Sequence, residues 1–489
     1  MNLNYRTKNK KINIPKFNLK DLIIFLIPLI IFLFYLYIYN PGILTYDSFN
    51  QLHQIATGNF NNWQPFFHTF IEMVCIRIYA SPITIGVVQI LSFSIIWMLI
   101  CKYNRDEDLE TKKYFFMQVI LTLTISLIPI NALYSITLWK DVLFSYLVLL
   151  LCLLIQVMLD RNAELDIGFV IIMSIIMACI AQLRFNGIYN IIMLLIILCI
   201  FLYKNNKPQK MYIIIPVLTI IFMMLISSLS VVYEVEDTHK DGVFAKVMHM
   251  LADYDLNLDL SKNDRDMIHK VISKKQIKEK YNIYYTDPIR DSSNRSAYDN
   301  NRSEYIKMAI KYSIQHPKHF IKYMLGSSAM VWDITRDEDW IGKQYYINED
   351  GANLQNSKEH FYSKKNETPT ASYEDVFEVN KGTEKYNIIN SFVYLAKENS
   401  LLDTLFNSPA LYMYLAFILM VGIYLITKSK KIFLIYLPNL LNILTVAIST
   451  PIQDNRYLYA NLLVFYLLVI IFINVLSKRE SSKINYNVH

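Results

Sequence analysis

Apolar runs separated by short polar and basic stretches fill the chain from residue 22 to 231 and again from 409 to 476. A helix that crosses a membrane needs roughly 20 predominantly apolar residues, within a working range of about 17–25. Ten segments read as such helices: 22–39, 83–101, 114–130, 142–159, 167–183, 188–203, 211–231, 409–427, 432–449 and 458–476. Segment 188–203 is short, and 432–449 carries Pro438, Asn439 and Asn442. Polar or proline-bearing stretches at membrane depth need cover from other parts of the protein. The pattern predicts an all-α membrane protein of about ten spans.

Two segments do not fit the spanning pattern. Residues 232–408 form a long insertion of mixed charge, with 24 Lys/Arg and 28 Asp/Glu. Helical patterning is visible there at 242–255, 263–280 and 303–332, with a break at His316-Pro317 and an apolar face in the last segment that suits a membrane surface. The stretch 340–385 is polar, rich in turn residues and reads as loop. The second segment, 40–82, has helix-like patterning at 48–57 and an amphipathic stretch at 66–80 that is too polar to span, so both are expected along an interface. The chain therefore divides into a membrane region 1–231, an insertion 232–408, a second membrane region 409–477 and a tail 478–489.

Charge then gives the layout a direction. With the N-terminus inside, the inner connections hold 20 Lys/Arg, while the short outer ones hold only Arg77, Lys140, Arg184 and Arg456. That asymmetry is the positive-inside pattern, and it predicts cytoplasmic N- and C-termini with 40–82 and 232–408 outside. The first apolar run follows a basic stretch without a small-residue cleavage pattern, as in a retained helix. Charged residues make up 18% of the chain, below the ~25% usual for soluble domains. The net charge of +7 reads as a topology signal, so nucleic acid is not an expected partner. Cys75, Cys101, Cys152, Cys179 and Cys199 all lie in or beside apolar segments, and no spacing suggests disulfides or a zinc site. No Walker, dinucleotide-binding or Gly-x-Ser-x-Gly motif is present.

Sidedness singles out the candidate chemistry. Asp47 stands where the chain leaves the first span, and Asp is also a favoured helix cap. Lys140, Arg184 and Arg456 survive on the side where cations are scarce, and together they suit an anionic headgroup. The plainer reading pairs Lys140 with Asp141 and Arg456 with Asp454 as helix-end anchors. His68 and Glu72 are four apart and share a helix face. They read as half a metal site or, more commonly, as the wet side of an amphipathic helix.

Several motifs recur in order on the outer side. Pro41-Gly42 with Asp47-Ser48 comes first. Gln51, Gln54 and Gly58 follow, then Asn62-Trp63-Gln64-Pro65 with His68-Thr69. Leu138-Trp139-Lys140-Asp141, Arg184-Phe185-Asn186-Gly187 and Arg456-Tyr457 complete the series. This set resembles a group of bacterial polytopic membrane proteins related to the GT-C glycosyltransferases, over most of the membrane region and residues 303–332. The resemblance implies transfer of a sugar from a polyprenyl-phosphate donor to a cell-envelope glycan, lipid or protein, in contact with membrane lipids at the bacterial cell membrane. It places Asp47 as the catalytic acidic residue of the first outer loop. Lys140, Arg184 and Arg456 would bind the donor phosphate, with Asp141, His68, Glu72 and Tyr457 in support. The chain departs from the pattern at Gln64, where His is expected before Pro, and in having no second acid beside Asp47. A divalent cation is the one cofactor left open, with no ligand set assigned. Two alternatives remain: a transporter or flippase of lipid-linked polymers, and a non-catalytic envelope assembly protein.

Overall fold

The computed structural model describes residues 17–105, 112–161, 165–204, 211–237, 241–335, 384–449 and 453–486. The N-terminal membrane region consists of α1 (Leu19–Ile38), α2 (Tyr46–Thr57), α3 (Phe66–Ile78), α4 (Ile83–Asn104), α5 (Lys112–Leu127), α6 (Pro129–Ser135), α7 (Lys140–Asp160), α8 (Ile167–Leu183), α9 (Gly187–Lys204) and α10 (Met211–Val232). Three long helices follow later: Pro409–Thr427, Lys431–Ser449 and Tyr459–Tyr486. The described residues contain no strands, only isolated bridges such as Ile43 to Thr137. The protein is an all-α membrane protein.

All ten apolar segments are helical, and among the described residues eight helices are long and apolar enough to cross a membrane. The other two differ for physical reasons. Segment 114–130 breaks into α5 and α6, bent by 68°. Pro129 has no amide hydrogen to continue the ladder, and it forces Ile128 into an extended conformation, φ −65° and ψ 116°. α8 is an apolar helix of 17 residues, closed by the turn at Arg184. By contrast, Lys431–Ser449 stays continuous through Pro438 because protein covers its polar side. Asn439 donates to Asn461 at 3.0 Å, and Asn442 donates to the Tyr457 carbonyl at 3.3 Å.

α7 is the axis of the bundle. It packs against α4, α8, Lys431–Ser449 and Tyr459–Tyr486, and 78% of its span is buried, against 11% for α10. Peripheral helices thus offer lipid an apolar surface, while the centre is filled by side chains such as Trp97, Trp139, Tyr146 and Phe144.

The 232–408 insertion has its own apolar core, built from Phe244, Met248, Leu251, Ile268, Ile289, Tyr298, Tyr305 and Tyr312. Its expected helices are present as Asp241–Asn257, Lys262–Val271 with Lys274–Lys280, and Arg302–Gln315 followed by Pro317–Ser327. The break falls at His316, with Pro317 opening the next helix. The loop expected at 340–385 lies almost wholly outside the described residues. The insertion is tied to the bundle at specific points. The Asn62 amide donates to the Glu236 carbonyl at 3.0 Å, the Met330 amide to Gln453 Oε1 at 2.8 Å, and Tyr414 to the Trp332 carbonyl at 2.8 Å.

One reading of the first loop is corrected. α3 does not turn the His68–Glu72 face to water: both side chains have no exposed surface, because α2, α4, α8 and α10 all pack on this short helix.

Candidate functional site

The first loop is pinned to the start of α7 before any charged group is considered. Gly42, at φ +120°, lets the chain pass where a Cβ would lie 2.8 Å from the Ile136 carbonyl oxygen. The Ile43 amide then donates to that oxygen at 2.8 Å, and the Leu138 amide donates back to Ile43 at 3.2 Å. Ser48 Oγ donates to the Leu138 carbonyl at 2.9 Å, and Trp139 Nε1 donates to Thr45 Oγ1 at 2.8 Å. These bonds set α2 beside Trp139-Lys140-Asp141.

Asp47 does not cap α2. Thr45 and Ser48 form the reciprocal cap, which leaves the Asp47 carboxylate free to point elsewhere. It accepts from Arg456 Nη1 at 2.9 Å and stays 19% exposed. Asp454 caps the following turn by accepting from the Arg456 amide at 3.0 Å, and its other oxygen lies 2.9 Å from Arg456 Nε. Arg456 also approaches Asp141 at 3.8 Å and lies over the Trp139 ring, 4.6 Å from its centroid.

Arg184 sits on the far side of Asp141, with Nε 3.1 Å from Oδ1. It donates to the Tyr457 carbonyl at 3.1 Å and lies between the rings of Phe144 and Tyr457. Residues from four distant parts of the chain therefore meet in one cluster. The expected pair of Arg456 and Asp454 is present, but it is part of this larger network. Asp141 is engaged by the two arginines, and Lys140 donates instead to Gln64 Oε1. Three cations (Lys140, Arg184, Arg456) face three carboxylates (Asp47, Asp141, Asp454). The arginines are held by carboxylates, whereas Lys140 donates to a neutral amide. Lys140 is consequently the cation best placed to meet an incoming anion.

His68 and Glu72 lie next to this cluster rather than in it. The His68 ring nitrogen Nδ1 is within 3.2 Å of the Gln51 amide and 3.6 Å from Glu72 Oε1. Gln51 Nε2 also donates to Thr69 at 2.8 Å. Burial, aided by the Lys140 charge, pushes the imidazole down to about 3. Burial likewise raises the Glu72 carboxyl well above the usual carboxylate range. Burial thus favours the neutral form of both groups. Among the described residues no group of three or more His, Cys, Asp or Glu is arranged to hold a metal ion.

The sequence motifs named Asp47, Lys140, Asp141, Arg184, Arg456 and Tyr457, and the fold brings all six together. Trp139 and Asp454 supply the stacking surface and the third carboxylate. Gln51 and Gln64 hold His68 and Lys140 in place. Gln64 stood out in the sequence only as a departure from the resembling family, and its role follows from its bond to Lys140.

No curated protein and no solved structure matches this chain. A family model does match, over residues 83–486. That span includes Lys140, Asp141, Arg184 and Arg456 and leaves the first loop with Asp47 outside. The chain belongs to the family of unknown function DUF6020.

Proposed function

We propose that this protein is a GT-C-like membrane glycosyltransferase of the bacterial cell membrane, moving a sugar from a polyprenyl-phosphate donor to a cell-envelope acceptor at the outer face. The observation that carries the reading is a partly exposed carboxylate, Asp47, set in a cluster with the buried Arg184 and the half-buried Lys140 and Arg456 at the ends of separate helices. In the reaction, an acceptor hydroxyl oxygen forms the new bond to the anomeric carbon while the bond from that carbon to the phosphate oxygen breaks. The hydroxyl proton passes to Asp47, and the electron pair leaves with the polyprenyl phosphate. A carboxylate within reach of the hydroxyl suits the first task. Fixed cations in a site shielded from water suit the second, because charge that develops there is stabilised without reorganisation. Lys140, held by a neutral group, would take the departing phosphate, while Arg456 fixes Asp47 and Arg184 fixes Asp141.

The test compares cell-envelope glycans of a deletion strain carrying wild-type or Asp47→Asn protein at equal abundance. We expect Asp47→Asn to lower transfer by at least ~100-fold, the lower range for loss of a general base. Equal restoration of the glycans by both proteins overturns the reading and leaves a binding or transport role.

A further inference from the structure

A transfer reaction needs a second substrate beside Asp47, and the rim of the cluster offers a surface for it. Trp63 precedes Gln64, the partner of Lys140, and keeps 38% of its surface exposed. The Arg290 guanidinium, from the 232–408 insertion, lies over its ring at 5.2 Å from the centroid. Arg290 is itself fixed by Asp287 at 2.7 Å and by Asp291 at 2.8 Å. Nearby, Asn62 Nδ2 donates to Asp237 at 3.0 Å, so the loop and the insertion are also joined beside this stack. Asp287 is close enough to Asp47 for the two carboxylates to interact. Trp63, next to the partner of Lys140, and the Arg290–Asp287 pair stacked on it therefore border the same site.

We propose that Trp63, Arg290 and Asp287 form the platform that receives a neutral pyranose ring of the acceptor, an inference that rests on the transfer reading above. The face of an indole is electron-rich and attracts both cations and the polarised C–H groups of a sugar ring. One side of the ring is met by Arg290, and the exposed remainder is open to a sugar. The Asp287 carboxylate and the guanidinium supply an acceptor and donors for ring hydroxyls. Charge sets the class of acceptor. Arg290 with Asp287 and Asp291 sums to −1, so the rim repels an anionic polymer, whereas an uncharged sugar meets no such penalty. The two parts of the site thus differ: a cation at Lys140 for the donor phosphate, and an aromatic, mildly acidic rim for the acceptor.

The experiment follows tryptophan emission of the full-length protein in phospholipid nanodiscs, titrated with maltotriose, cellotriose or trigalacturonate. We expect a saturable change with at least one neutral trisaccharide and at least ~10-fold weaker binding of the anionic one, about the effect of one unfavourable rim charge pair. Trp63→Ala should abolish the change. Arg290→Gln, which leaves the first loop intact, should weaken binding about fivefold, as expected for loss of a cation–aromatic contact. No saturable response to either neutral sugar overturns the proposal, as does tighter binding of trigalacturonate or a response unchanged in both variants. Asp47→Asn should bind the sugar normally. If Asp47→Asn also retains transfer while the sugar titration behaves as stated, the catalytic assignment fails and the platform stands.

Discussion

Glu72 holds a carboxyl with no exposed surface on α3, 3.6 Å from a neutral imidazole, and its surroundings dictate a pH dependence. Its folded pKa is raised by burial, so between the ordinary Glu value and that raised value the folded protein binds a proton that the unfolded chain does not. Stability contributed by this group is therefore present at low pH and lost as pH rises, with a slope of about 1.4 kcal/mol per pH unit in that window. Glu72→Gln keeps the shape and removes the titration. The variant should gain stability relative to wild type as pH climbs above the ordinary Glu range, read as a widening difference in thermal unfolding midpoints. Parallel pH profiles would show that Glu72 titrates normally. The same residue shows what the sequence can and cannot carry. The i, i+4 spacing of His68 and Glu72 says that they share a face. It does not say whether that face meets water, because this depends on α2, α4, α8 and α10 arriving from elsewhere in the chain.

At the scale of elements, the turn between α8 and α9 positions Arg184. A Cβ on Gly187 would lie 2.2 Å from the Ile180 carbonyl oxygen, a backbone atom that no side-chain rotation can move away. Gly187→Ala must separate the two helices or shift the turn that carries Arg184, at a cost of about 1–3 kcal/mol typical of overpacking. A lower unfolding midpoint together with reduced transfer is expected. An alanine variant with wild-type midpoint and activity would show that the turn tolerates the displacement. Glycine in Arg184-Phe185-Asn186-Gly187 was visible as a motif member, but its packing reason needs α8 in place. The broken span was hidden differently. Residues 114–130 are continuously apolar enough to pass as one helix, and the bend depends on Pro129 acting where Asn131 can take the freed carbonyl of Ile125 at 2.6 Å and receive Tyr459 at 2.9 Å. Hydropathy records the apolar run and not this local hydrogen-bond exchange.

For the whole molecule, the two ends of the bundle are built differently, and that difference bears on orientation. At one end Asp21, fully buried, binds Lys102 at 3.0 Å and Arg105 at 2.8 Å, amid the basic connections that the charge count assigns to the cytoplasm. At the other end Asp47, Lys140, Asp141, Arg184 and Arg456 converge beneath the insertion. The charge asymmetry between the two ends was legible from the chain because loop charge is a local property. The pairing within each cluster was not, since it joins residues separated by up to 409 positions. The transfer reading requires the second end to face outward, where envelope acceptors are. Single cysteines at Ser296, in the insertion, and Lys430, between two spans at the opposite end, test this in a background with the native cysteines replaced. Ser296→Cys should react with a membrane-impermeant maleimide on intact cells, whereas Lys430→Cys should react only after permeabilisation, with at least about a tenfold contrast, since a charged reagent does not cross the hydrocarbon core. The reverse pattern would place the Asp47 cluster in the cytoplasm. It would then face nucleotide-activated soluble donors, the positive-inside count would be misleading for this chain, and both the lipid-linked donor and the envelope acceptor would have to be abandoned.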